Sequence, residues 1–139
     1  MDEKFIWTEE YSVQNEMIDG QHKTFFGITN DLIELASRKE IDRNELLDQV
    51  AKLGDYAFFH LGTEEDLFSK YGYSGAEHIA AHNMFRQEVT QMMDAVREDG
   101  VDIGLQARRT ADFAGNWLKI HIETMDRQYA PFFTEKGLK

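Results

Sequence analysis

The sequence predicts an all-α protein, an antiparallel up-down-up-down four-helix bundle preceded by an irregular N-terminal arm. Three observations carry this. Proline occurs once, at Pro131, and the ten glycines are spread out, so the 139 residues lack the punctuation of a many-stranded sandwich or barrel. Apolar residues recur at three- and four-residue steps over most of the chain. The breaks between these stripes are short, and short links between helices of similar length favour antiparallel neighbours.

The arm runs to about residue 16, and the bundle fills about 17–133 of a single domain over 1–139. In the first helix Ile18, Phe25, Thr29, Leu32 and Ala36 form the inward stripe, ended by Ser37-Arg38-Lys39. Asp42-x-x-Glu45 is a capping box that opens the second helix, with Leu46, Val50, Leu53, Ala57, His60, Glu64, Leu67 and Tyr71 facing inward. Gly72 and Gly75 bracket a turn, and Ser74-x-x-Glu77 reads as a second capping box. It leads into His78, His82, Phe85, Val89, Met92 and Val96 on the third helix. Asp99-Gly100 breaks that helix, Asp102 is the expected cap of the fourth, and Ala107, Ala111, Ala114, Trp117, His121 and Met125 follow. Pro131 is expected to stop or kink this last helix. Helices of about 20–27 residues are roughly 30–40 Å long, enough to enclose a site midway along the bundle.

Composition excludes several chemistries. Fifteen Lys+Arg against 26 Asp+Glu give a net charge of −11, and no basic patch relieves it, so nucleic acid and anionic membrane are poor partners. The absence of cysteine removes disulfides, thiolate metal sites and cysteine nucleophiles together. With no leader-like start and no run of apolar residues long enough to span a bilayer, the expected location is the cytoplasm, without membrane insertion.

The anomaly lies in the stripes. His60, Glu64, His78, His82 and His121 stand where buried apolar side chains belong, and no Lys or Arg shares those stripes. An ionised Glu buried without a partner costs several kcal/mol or shifts its pKa, so a bound cation is the remaining partner. His60-x-x-x-Glu64 and His78-x-x-x-His82 are i,i+4 pairs on one helical face, as chelation requires. His121 and Asp126 are i,i+5, and five α-helical residues turn about 500°, which leaves Asp126 roughly 140° away from His121. If both serve one site, a local π-bulge or a change in helix winding is expected there. His22, near the start of the first helix, can face the same level.

Five imidazoles and two carboxylates exceed one ordinary site, so two ions sharing the carboxylates is the economical count. The His-Glu-x-x-His signature of zinc proteases is absent, since Ile79 follows His78. The Glu-x-x-His motifs of ferritin-like di-iron proteins are also absent. Ala57, Gly75, Ile79 and Leu118 stand three residues before the four core histidines. Imidazole-rich sites suit iron, copper, nickel or zinc, and affinity order alone does not choose among them.

The ordered set His22, His60-x-x-x-Glu64, His78-x-x-x-His82 and His121-x-x-x-x-Asp126 resembles the hemerythrins of the bacterial single-domain kind, over essentially the whole chain. Trp7 and Tyr11, Ile18-Asp-x-Gln-His22, Glu64-Glu65, Tyr71-Gly-Tyr73 and Trp117-Leu118-x-x-His121-Ile122 add to the resemblance. Leu61, where an aromatic commonly follows the histidine, and Ser74, where proline is frequent, depart from it.

The resemblance implies two iron ions with an oxo or hydroxo bridge. His78, His82 and His121 would hold one and His22 and His60 the other, with Glu64 and Asp126 bridging. The second iron is then one ligand short, and dioxygen would bind at that open position. Ile28, Phe85, Leu118 and Ile122 are the expected apolar wall of the oxygen pocket, and Tyr129 a donor to a bridging carboxylate. The implied function is non-enzymatic, reversible dioxygen binding for storage, delivery or scavenging, with side oxidase or peroxidase activity and an unknown oxygen-consuming acceptor. The alternatives are an oxygen or redox sensor module, which the lack of an attached output domain disfavours, and a di-iron enzyme reducing peroxide or nitric oxide.

Overall fold

The computed structural model describes residues 5–138. Residues 1–4 of the expected arm and Lys139 lie outside the described residues. The remaining arm is irregular apart from one 3₁₀ turn, Glu9–Tyr11, capped by Thr8. Four long helices follow: α1 (Glu16–Ala36), α2 (Arg43–Tyr71), α3 (Ala76–Arg97) and α4 (Ile103–His121). The last continues through a π turn, Ile122–Asp126, into α5 (Arg127–Glu135). Among the described residues there is no strand, and no helix is long and apolar enough to cross a membrane.

The expected caps at Asp42 and Asp102 form, their side chains accepting from the Glu45 and Leu105 amides. Asn15 caps α1 in the same way, accepting from Ile18 N at 3.0 Å. The second capping box does not form. Gly75 is the N-cap of α3, in the left-handed region at φ 53°, and no side chain caps that end. Gly72, also left-handed, ends α2, so the two glycines make a turn tight enough to leave Ser74 outside the capping position. Pro131 does not stop the last helix. It sits on the exposed face of α5, whose buried residues Tyr129, Ala130 and Phe133 continue the inward stripe across it. The packing of that face outweighs one missing backbone hydrogen bond.

α1 packs against α4 and α2, and α2 against α3. The apolar core comes in two parts. The larger contains Phe25, Leu32, Leu53, Leu61, Phe85, Leu118 and Ile122, and the smaller contains Val13, Ile18, Phe68, Tyr129 and Phe133. On α1 and α2 the step from one cluster to the other passes through a ligand candidate. On α1 the order is Ile18, His22, Phe25; on α2 it is Leu61, Glu64, Phe68. A polar layer thus crosses the bundle with an apolar seal on each side. The arm covers part of α4: Phe5 packs against the bare Gly115 backbone so closely that any Cβ there would collide with its ring, and Asn30 bonds the Phe5 backbone in both directions.

Candidate metal centre

The polar layer contains His22, His60, Glu64, His78, His82, His121 and Asp126, each at most 5% exposed. Regular helix geometry delivers two pairs: α2 presents His60 and Glu64 one turn apart, and the first turns of α3 present His78 and His82. The fifth and sixth positions depend on the π turn. It begins directly after His121 and ends on Asp126, and its wide turn absorbs one extra residue so that the i,i+5 pair shares a face. His121 Nε2 and Asp126 Oδ1 are 3.1 Å apart, as the expected bulge requires.

The seven side chains form two overlapping groups. Ligand atoms of Glu64, His78, His82, His121 and Asp126 all lie within 4.8 Å of one another, as do those of His22, His60, Glu64 and Asp126. The two carboxylates belong to both. Asp126 spans the groups, with Oδ1 at 2.7 Å from His78 Nε2 and Oδ2 at 3.0 Å from His22 Nε2. Glu64 Oε1 stands 3.4 Å from both His60 Nε2 and His82 Nε2.

These close approaches do not amount to a satisfied hydrogen-bond network. Both Asp126 oxygens, Glu64 Oε1 and both His22 nitrogens have no aligned hydrogen-bond partner although they are buried. His121 Nε2 faces His78 Nε2 at 2.9 Å, His82 Nε2 at 3.2 Å and Asp126 Oδ1, and a single ring proton cannot serve all three. Adjacent ligands of one octahedral ion, each about 2.1 Å from it, lie about 3 Å apart, which matches these nitrogen–nitrogen separations. The lone pairs converge on shared points rather than on each other. All donors are nitrogen or oxygen, a set suited to iron among other transition metals.

Outer contacts orient the set. His60 Nδ1 donates to Gln21 Oε1 at 2.7 Å, leaving Nε2 free to face inward. His82 Nδ1 donates to Glu65 Oε2 at 2.8 Å. The Tyr129 hydroxyl donates to Glu64 Oε2, and its ring stacks on His78. Trp117 lies nearly parallel to the His121 ring, 4.3 Å between centroids.

Electrostatics follow from burial against neighbouring charge. Burial drives His60 down to about 4, outweighing the pull of Glu64. Burial also acts to lower His22, but the Asp126 carboxylate beside it wins and its pKa is raised. Burial works to raise Asp126 and Glu64, yet the surrounding imidazoles hold Asp126 well below and Glu64 below the usual carboxylate range. Burial and then the Glu64 charge push Tyr129 well above the ordinary phenol range, so it stays a donor.

The family model for the hemerythrin HHE cation binding domain matches residues 13–133. The chain belongs to the hemerythrin family. It is 30% identical over 128 residues to a bacteriohemerythrin of Clostridium acetobutylicum, covering 90% of this chain and 98% of that one. Against the bacteriohemerythrin of Methylococcus capsulatus it is 29% identical, covering 90% and 93%. A crystal structure of wild-type hemerythrin superposes with a TM-score of 0.82 at 29% identity, covering 91% of this chain and 95% of that one. Hemerythrins are iron-containing oxygen-binding proteins, and this member has a cluster able to hold metal.

The four expected pocket residues are all buried: Ile28, Phe85, Leu118 and Ile122. Phe85 stacks toward Trp117 and so approaches His121 indirectly, while Ile28 lines a groove between α1 and α2 together with Thr24, Gly27, Tyr56 and Phe59. Phe25, read from the sequence as plain core, packs in a T-shaped pair with His60. Gln21 and Glu65 entered the sequence reading only as neighbours in motifs of the resemblance, with no contact assigned to them. Each directly precedes or follows a ligand candidate, but adjacency along a helix does not reveal which side chain reaches across to a neighbouring helix.

Proposed function

We propose that this hemerythrin binds dioxygen reversibly at a carboxylate-bridged di-iron centre, for oxygen storage, delivery or scavenging rather than turnover. His78, His82 and His121 would hold one iron and His22 and His60 the other, with Glu64 and Asp126 shared. The observation that carries this reading is the overlap of an unequal pair of ligand groups, five and four, through the same two carboxylates. Residues so arranged would hold two ferrous ions, whose redox chemistry would supply electrons for oxygen binding, and the group with fewer protein ligands would leave room for an external one.

The chain's own part is orientation and exclusion. Gln21 keeps the His60 proton on Nδ1, and Glu65 keeps the His82 proton on Nδ1, so both Nε2 lone pairs face the layer. Tyr129 fixes one oxygen of Glu64 and leaves the other for the centre. The apolar clusters above and below the layer, with Phe85, Leu118 and Ile122 fully buried, keep bulk water and its protons away.

The test is anaerobic mixing of the reduced, iron-loaded protein with dioxygen, followed by visible absorption. A coloured species that returns to the reduced spectrum under vacuum supports reversible binding. Rapid irreversible oxidation, or repeated turnover when peroxide or nitric oxide is supplied with reductant, overturns the carrier role in favour of an enzyme. Iron content well below two ions per chain after reconstitution overturns the di-iron reading itself.

A further inference from the structure

The two ends of the polar layer differ in what stands behind their histidines. Behind His60 is a neutral amide, Gln21 Oε1 at 2.7 Å. His22 Nδ1 has no hydrogen-bond partner at all. Behind His82 is a carboxylate, and it is clamped: Arg86 donates from Nη1 to Glu65 Oε2 at 2.8 Å and from Nη2 to Glu65 Oε1 at 3.0 Å. Arg86 is itself steadied by Asn83, whose Oδ1 accepts from Nη1 at 2.9 Å. Glu65 and Arg86 are about three-quarters covered, with side-chain exposures of 24% and 25%, so the pair reaches from the surface inward to His82.

We propose that Glu65, held in place by Arg86, is a positioning residue that makes the His78/His82/His121 end the tighter and more electron-rich of the two metal positions. This rests on the reading of the layer as a two-metal centre. An imidazole whose Nδ1–H is bonded to an ionised carboxylate is a stronger donor at Nε2 than one bonded to an amide. The bidentate guanidinium fixes the carboxylate in a single orientation, so the hydrogen bond to His82 is formed before metal arrives. The layer is thus graded across the bundle: a carboxylate-backed histidine at one end, an amide-backed and an unbacked histidine at the other. The graded backing favours occupation of the three-histidine end first and stabilises the higher charge state there.

The test is stepwise titration of Co(II) into the metal-free full-length protein, followed by visible absorption and calorimetry. Wild type is expected to bind two ions in resolved steps. Glu65→Gln weakens the tighter step on the order of 10–100-fold and leaves the weaker step in place. Arg86→Leu weakens the same step by less, and Arg86→Lys recovers part of the loss. Gln21→Glu is the reciprocal variant and tightens the weaker step, which keeps the test decisive if Glu65→Gln folds poorly. In the iron-loaded protein Glu65→Gln shifts the reduction potential upward, which a purely structural contact would not do. Two ions bound by wild type with both steps unmoved, or weakened equally, in Glu65→Gln overturns this inference alone. Uptake of a single ion by wild type overturns the two-metal reading and this inference with it.

Discussion

Replacing Tyr129 by Phe removes one O–H from a residue that is otherwise fully enclosed. The ring keeps its stack on His78 and its place beside Phe68 and Phe133, so no cavity opens. What is lost is the hydrogen bond to Glu64 Oε2, a buried carboxylate oxygen. A hydrogen bond to a charged group contributes about 1.5–3 kcal/mol. For a chain of this size each kcal/mol moves the melting temperature by roughly 3–5 °C, so a fall of about 5–15 °C is expected for the metal-loaded protein. Thermal unfolding by circular dichroism measures it. A double-mutant cycle with Glu64→Leu, run on the metal-free protein so that metal binding does not enter, isolates the contact, and a coupling of about 1–2 kcal/mol is expected. A melting temperature within about 1 °C of wild type, with no coupling in the cycle, would refute the reasoning and reduce Tyr129 to a core aromatic.

Two further outcomes follow from the same geometry. Deleting Thr124, an exposed residue of the π turn, converts His121-x-x-x-x-Asp126 into an i,i+4 pair, about 40° apart on a regular helix. The deletion variant should retain both metal equivalents, which titration would check; loss of one would show that the wide turn itself, not just the shared face, is required. In the metal-free protein, burial holds His60 at about 4 against an ordinary 6.5, so the unfolded chain takes up that proton first. Stability from this group is complete above 6.5 and is lost as pH falls toward 4, by about 3 kcal/mol at most. His22, raised by Asp126, acts in the opposite sense, contributing below 6.5 and fading as pH climbs through its raised value. Urea unfolding between pH 4 and 7.5 should therefore show a steeper acid limb in wild type than in His60→Gln, and parallel curves would contradict the assignment.

The sequence by itself determined the four helices, the breaks at Gly72 and Gly100, and the seven polar positions on the inward stripes. Periodicity, caps and the cost of burying charge are local facts, written in the order of residues. Even the π turn was legible, because an i,i+5 pair can share a face only if the helix widens between its members. Two local preferences yielded to packing: Ser74 lost its capping role to a left-handed Gly75, and of the expected stop or kink at Pro131 the stop does not occur, because Tyr129, Ala130 and Phe133 anchor that face of α5. Only the tertiary structure decided which oxygen of Asp126 meets which histidine, that Glu64 faces His60 and His82 alike, and that Gln21 and Glu65 back different ends of the layer. Apart from His60 and Glu64, which one helical turn brings together, those contacts join residues 17 to more than 100 positions apart, as Glu65 to His82 and His22 to Asp126 do. No helical period encodes them, because they depend on how far each helix slides and turns against its neighbours when the apolar seals close around the charged layer.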